Sequence, residues 1–118
     1  MGFFKNIINF FKNRKNMQQM TVAELKSKMD NKESFLLLDV REPAEYQEFN
    51  LKGQLVPLGS VQAAINRGDF DDLKDKEIVV HCRSGQRSMM AQMMFLGAGF
   101  TDVKNLTGGV MAWQQNYG

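Results

Sequence analysis

A chain of 118 residues and 13.5 kDa bounds one compact unit with one core, which excludes an active site set in a cleft between two domains. With 43% hydrophobic and 24% charged residues, two prolines, one cysteine and one histidine, the composition excludes disordered, disulfide-stapled and zinc-ligated classes. The net charge of +2 conceals an asymmetry, because residues 1–16 hold Lys5, Lys12, Arg14 and Lys15 without an acid and leave the remainder mildly acidic, so no nucleic-acid face is indicated.

Residues 1–16 place Phe3, Phe4, Ile7, Ile8, Phe10 and Phe11 at helical spacing among lysines and asparagines, which predicts a short amphipathic basic helix. Such a helix suits peripheral contact with a membrane or a partner, or docking back onto its own domain. The start carries neither a signal-peptide cleavage pattern nor a myristoylation motif, and no apolar run reaches the roughly twenty residues a bilayer span needs; a cytoplasmic location is expected. Residues 17–118 then read as one domain. Thr21 followed by Glu24 is a capping box for a helix to about Met29, with Leu25 and Met29 turned inward. FLLLDV, residues 35–40, is a continuous apolar run, the mark of a strand buried on both faces. Pro43 opens a helix through Phe49. Leu55 and Val56 form a brief strand, residues 60–67 a helix, and EIVVHC, residues 77–82, a second buried strand. A helix over Ser88 to Ala98, a strand over Val103 to Leu106 and a helix over Gly109 to Gln115 complete the chain. In the helix after residue 88, Met89, Met90, Met93, Met94, Phe95 and Leu96 leave Gln92 as the sole polar residue of its middle; most of this girth is expected in the core, with part available for docking beside the site. Alternating strands and helices predict an α/β three-layer sandwich, a mostly parallel sheet flanked by helices on both faces.

Ligands of parallel sheets bind beyond the carboxyl ends of the strands. Three positions qualify: Asp39 and Arg41 after the first buried strand, Cys82 after the second, and Thr107, Gly108 and Gly109 after the third. The stretch His81-Cys82-Arg83-Ser84-Gly85-Gln86-Arg87-Ser88 is the most informative. A cysteine at a strand end, followed by a tight loop opening into a helix, has backbone N–H groups and a positive helix terminus converging on its sulfur. Gly85 permits the turn, and Arg83 and Arg87 add full charges. An ordinary thiol with a pKa of about 8.5 is roughly 3% thiolate at pH 7, and lowering the pKa by about two units makes it roughly three-quarters thiolate. That bias is worth about 2.7 kcal/mol. A helix terminus contributes up to about 2 kcal/mol and a nearby arginine the rest, so no general base is required. Isolated cysteines are usually small buried hydrophobes, but these flanks favour reactivity. His81 alternates away from Cys82 and is expected to be a packed, hydrogen-bonded core residue.

Three segments resemble the single-domain rhodanese-like sulfurtransferases: Asp39-Val40-Arg41-Glu42-Pro43-Ala44-Glu45-Tyr46, Val79 to Ser88 around the cysteine, and Leu106-Thr107-Gly108-Gly109-Val110-Met111-Ala112-Trp113. They occur in the family's order over residues 19–117. The resemblance implies that Cys82 takes a sulfane sulfur from a thiosulfate-like donor, holds it as a persulfide and passes it to a thiol, cyanide or protein acceptor, without an organic cofactor or metal. It implies that the amides of Arg83, Ser84, Gly85, Gln86, Arg87 and Ser88 surround the persulfide. The side chains of Arg83 and Arg87 would then hold the anionic donor, or one of them would pair with Asp39. Asp39 and Arg41 are expected to make strand-end and helix-tethering contacts, Arg41 reaching Glu45 or Glu48. Gly108 and Gly109 let the neighbouring loop approach, and Trp113 buries the last helix. After Tyr46 the sequence departs from the family: Phe49-Asn50-Leu51-Lys52-Gly53-Gln54-Leu55-Val56-Pro57 is one residue short and has Asn50 where the family has histidine.

Two other functions use similar pieces. A cysteine phosphatase shares the His-Cys pair, strand, loop and helix, but needs its arginine six positions after the cysteine, where this chain has Ser88. A sulfur carrier or protein-binding module of the same fold would keep Cys82 without turning over small substrates.

Overall fold

The computed structural model describes residues 17–118, so the helix expected over residues 1–16 lies outside the described residues. The elements in chain order are β1 (Gln18–Met20), α1 (Val22–Asp30), β2 (Leu36–Asp39), α2 (Pro43–Glu48), β3 (Gln54–Leu55), α3 (Leu58–Asn66), a 3-10 turn (Asp71–Leu73), β4 (Ile78–His81), α4 (Gln86–Gly97), β5 (Val103–Leu106) and α5 (Gly109–Tyr117). The five strands form one sheet in the order β1-β5-β4-β2-β3, and every pairing is parallel.

This order places the helices. From β1 to β2 to β3 the chain moves toward one edge of the sheet, and from β3 to β4 to β5 it moves back. Right-handed crossovers in opposite directions lay their helices on opposite faces. On one face Leu38, Val40, Ile78, Val80 and Cys82 pack with Val61, Ala64 and Ile65 of α3 and Ala91, Phe95 and Leu96 of α4. Phe95 holds the edges of Phe70 and Phe100 at ring-centroid distances of 5.3 and 5.0 Å. On the other face Val79, Met20 and Leu106 meet Val22 and Leu25 of α1 and the partly buried Trp113 of α5. The strand residues divide by alternation, so the apolar runs at β2 and β4 supply both cores at once.

Several boundaries differ from the sequence pattern. β1 carries no strand signal in Gln-Gln-Met; it exists because Met20 is buried in the second core and its backbone registers against Lys104, Asn105 and Leu106. The capping box of α1 is present, Glu24 N–H donating to Thr21 Oγ1 at 3.1 Å and Thr21 N–H to Glu24 Oε1 at 3.0 Å. Its buried stripe, however, is Val22 and Leu25, three apart in the first turn, whereas Met29 is exposed. α3 and α4 each start two residues earlier than expected, at Leu58 and Gln86.

The middle of α4 is the reverse of its hydropathy. Met89, Met90 and Met93 are exposed, and Gln92 is wholly buried. Ser88, Ala91 and Phe95 occupy the face toward the sheet, and Gln92 beside them donates through Nε2 to the carbonyls of Gln18 at 2.8 Å and Val103 at 2.9 Å. Two backbone acceptors at the β1–β5 edge draw in an amide that the apolar count alone would leave outside.

The connection from α2 to β3 is held locally. Asn50 Nδ2 donates to Tyr46 O at 3.0 Å, its Oδ1 accepts from Lys52 N–H at 2.8 Å, and Tyr46 Oη donates to Gly53 O at 2.7 Å. Lys52 has a φ of +65°. Asn50 thus organises this turn.

Candidate active site

β2, β4 and β5 end side by side, which brings Asp39, Cys82 and the glycines after Leu106 to one end of the sheet. Cys82 follows β4 directly and is 1% exposed. Its Sγ accepts from the Gly85 amide at 3.1 Å and the Ser88 amide at 3.4 Å, with Ser88 Oγ at 3.3 Å. Burial alone would push the thiol up, but the Ser88 hydroxyl and the amides of Ser88, Gly85 and Ser84 outweigh it and hold Cys82 below its ordinary value. The turn depends on Gly85, whose φ of +114° is a conformation side-chain-bearing residues rarely adopt.

Asn105 on β5 completes this constellation, and it carries no motif that the sequence alone would single out. Its Nδ2 donates to Gly85 O at 3.0 Å, which fixes the amide orientation, and its Oδ1 accepts from Ser88 Oγ at 2.5 Å. The Ser88 hydroxyl has one proton and two acceptors, Asn105 Oδ1 and Cys82 Sγ. While the proton lies on Asn105, the thiol can only donate to Ser88; an anionic sulfur would draw the proton back. The amides, which can only donate, are the constant part of the stabilisation.

The last loop presses onto this one. Val110 N–H donates to Cys82 O and Met111 N–H to Arg83 O, both at 3.0 Å. A Cβ on Gly109 would collide with Cys82 O and stand 2.6 Å from Arg83 O, and its φ is +55°. Gly109 therefore lets the start of α5 reach the backbone of the cysteine loop. Gly108, with a φ of +76°, is the residue from which α5 turns.

The charged side chains form two pairs. Asp39, fully buried, receives Arg41 through Nε at 3.0 Å and Nη2 at 2.8 Å, and also accepts the Arg41 amide. Arg41 extends to the carbonyls of Glu45 at 3.4 Å and Phe49 at 2.8 Å. It therefore tethers α2 through backbone oxygens, not through the Glu45 or Glu48 carboxylates that its reach suggested. Asp39 takes neither loop arginine. Arg87 instead lies bidentate on Glu45, at 2.7 and 2.8 Å; the Arg87 hydrogen bonds hold the Glu45 carboxyl down to about 2. Arg83 is exposed and makes no ion pair among the described residues. Ser84 and Gln86 are exposed as well. His81 is fully buried with neither ring nitrogen hydrogen-bonded, 3.7 Å from Asp39 Oδ2. It is packed, as expected, but without the expected hydrogen bond.

An open pocket of about 460 Å³ adjoins the loop, lined by Arg41, Glu45, Phe49, Arg83, Val110 and Met111 among others. Among the described residues no three metal-ligating side chains converge, and no helix is long and apolar enough to cross a membrane.

Comparison with known proteins bears on the family and the fold. Residues 21–116 match the rhodanese-like domain family. A Bacillus subtilis protein, provisionally named sulfur carrier protein YrkF, is 34% identical over 102 residues, covering 86% of this chain and 53% of its own length. An Allochromatium vinosum sulfurtransferase is 31% identical over 101 residues, covering 85% of this chain and 91% of its own. The solved human single-domain sulfurtransferase is 22% identical, with a TM-score of 0.73 over 85% of this chain and 97% of that one, a likeness of fold. The chain spans about half of the Bacillus protein, and 24% of another, longer curated relative.

Proposed function

Because this chain belongs to the rhodanese-like domain family, whose named relatives are sulfurtransferases and sulfur carriers, we propose that it is a sulfurtransferase working through a persulfide on Cys82. The observation that carries this reading is a lone thiol held below its ordinary pKa by amides that converge on Sγ. A thiolate there attacks the outer sulfur of an anionic donor such as thiosulfate. The Cys82 S–S bond forms as the donor's S–S bond breaks, and sulfite leaves with the bonding pair. The ring of amides then faces the terminal sulfur of the persulfide, which carries the negative charge. A thiol, cyanide or protein acceptor attacks that terminal sulfur in the second displacement and returns Cys82 to the thiolate. Dividing the transfer at a covalent intermediate replaces one encounter of three partners by two simpler ones.

The phosphatase alternative loses ground on Arg87. It follows Cys82 after only four intervening residues, and both guanidinium nitrogens that would clasp a phosphoryl group are committed to Glu45. The carrier alternative shares every feature of the site and differs only in turnover.

Incubation of the whole chain with thiosulfate should add one sulfur, roughly 32 Da, to Cys82. The Cys82→Ser variant should add none. Loading followed by release to cyanide or a small thiol supports the transferase, and loading without release supports a carrier. Absence of any adduct on the wild type with both thiosulfate and an organic persulfide would overturn the reading.

A further inference from the structure

The two loop arginines do not offer the same charge. Arg83 stands free of ion pairs among the described residues, whereas Arg87 gives both terminal nitrogens to Glu45. Arg87 nevertheless belongs to the site: it stands in the first turn of α4, five positions after Cys82, and its partner Glu45 lines the pocket beside the loop. Asp39 and Arg41 cancel one another below the pocket. Arg83 is therefore the loop cation left without an ion pair among the described residues, opposed on the same pocket wall by the exposed carboxylate of Glu48, with Arg87 and Glu45 summing to zero.

Resting on the proposed sulfur transfer, we infer that Glu45 is a specificity-determining residue that biases the site toward singly charged organic persulfides and away from doubly charged thiosulfate. The chemistry supplies the reason. When a Cys82 thiolate meets thiosulfate, three negative charges gather at the reacting sulfurs and leave as a Cys82 persulfide anion and sulfite. When it meets an alkyl persulfide anion, only two gather, and they leave as the Cys82 persulfide anion and an alkyl thiolate. In both cases one S–S bond forms and one breaks, with no net oxidation or reduction. The additional charge of thiosulfate needs a second free cation, and Glu45 removes the one that Arg87 would supply. The neighbouring pocket fits the same donor class. Its volume of about 460 Å³ is in the size range of small-molecule sites, and its mainly polar wall, with Gln114 and Glu48 beside an apolar strip of Phe49, Val110 and Met111, suits a small polar organic body.

The test measures kcat/KM for Cys82 loading with two donors, thiosulfate and freshly generated 2-hydroxyethyl persulfide, whose body is uncharged. In Glu45→Gln the ratio of thiosulfate to persulfide efficiency should rise about tenfold, the size expected for one unit charge at a partly solvated site. Glu45→Asp, which keeps the charge, should leave the ratio within about twofold. Glu45→Gln combined with Arg87→Gln restores the original net charge and should return the ratio toward wild type. A ratio unchanged in Glu45→Gln, or all three variants losing both donors in parallel, would overturn the inference and leave Glu45 a structural clasp. Failure of the wild type to load from either donor would instead overturn the sulfur-transfer reading beneath it.

Discussion

Ser88 and Asn105 show how a single proton couples the candidate nucleophile to a neighbouring strand. Asn105 Oδ1 and Cys82 Sγ compete for the Ser88 hydroxyl proton, so removing Ser88 and removing Asn105 should move the thiol in opposite senses. Ser88→Ala removes a donor to the thiolate and should raise the apparent pKa of Cys82 by about one to two units, since a hydrogen bond to a charged group nets about 1.5–3 kcal/mol. Asn105→Ala releases the hydroxyl to sulfur and should lower it, but only while Ser88 is present. Iodoacetamide alkylation rates against pH, measured in the two single variants and the double, check this; a shift that Asn105→Ala also produces in the Ser88→Ala background would mean that Asn105 acts only by anchoring Gly85 O. Cys82, Gly85 and the loop arginines were legible from local chain order, because a strand, a tight turn and a helix start lie within a few residues. Asn105 and Glu45 were not, because their partners Ser88 and Arg87 lie 17 and 42 positions away.

At the scale of elements, the informative case is α4 and the strand it anchors. An apolar helix with one polar residue reads as a core helix with that residue outside; here Gln92 is inside and three methionines are outside. Burying an amide is unfavourable unless it is hydrogen-bonded; both Nε2 hydrogens are used on the carbonyls of Gln18 and Val103, whereas Oε1 has no partner among the described residues. β1 is only three residues long and has one neighbour in the sheet, so these bonds matter more to it than propensity does. Gln92→Leu should lower stability by about 1–3 kcal/mol through the two stranded carbonyls. It should also speed amide exchange in Gln18–Met20 more than in β4, whose four residues are all buried. Equal protection of β1 in the variant and the wild type would assign β1 to Met20 packing alone.

For the whole molecule, the buried ionisable groups set how stability responds to acid. Burial of His81 keeps its pKa below the ordinary 6.5; Arg41 adds to that direction, and Asp39 opposes it. The unfolded chain therefore takes up a proton below about pH 6.5 that the folded chain refuses. The stability belonging to neutral His81 is complete above that pH and is lost as pH falls through the range beneath it. Glu45 contributes in a lower window: its ion-paired carboxylate is lost as pH falls from about 4.5 toward about 2. In a Cys82→Ser background, which removes the titration of the lowered thiol, urea midpoints should be level between pH 8 and 7 and decline from pH 6.5 to 5. His81→Leu, which removes two unpartnered nitrogens, should flatten that decline at little cost to the plateau. A midpoint independent of pH from 7 to 5 in the wild type would show that His81 titrates normally in the fold.

The amino-acid sequence by itself determined the alternation of strands and helices, the parallel α/β class and the tight loop that carries Cys82 into a helix. These follow from hydrophobic period, capping and turn chemistry, which act between near neighbours. Only the tertiary structure decided that Gln-Gln-Met becomes an edge strand, that Gln92 goes inward, that Asn105 shares the Ser88 proton and that Glu45 cancels Arg87. Each of these depends on which distant groups the crossovers bring within hydrogen-bonding reach, and a buried amide, hydroxyl or guanidinium takes the partner that position offers.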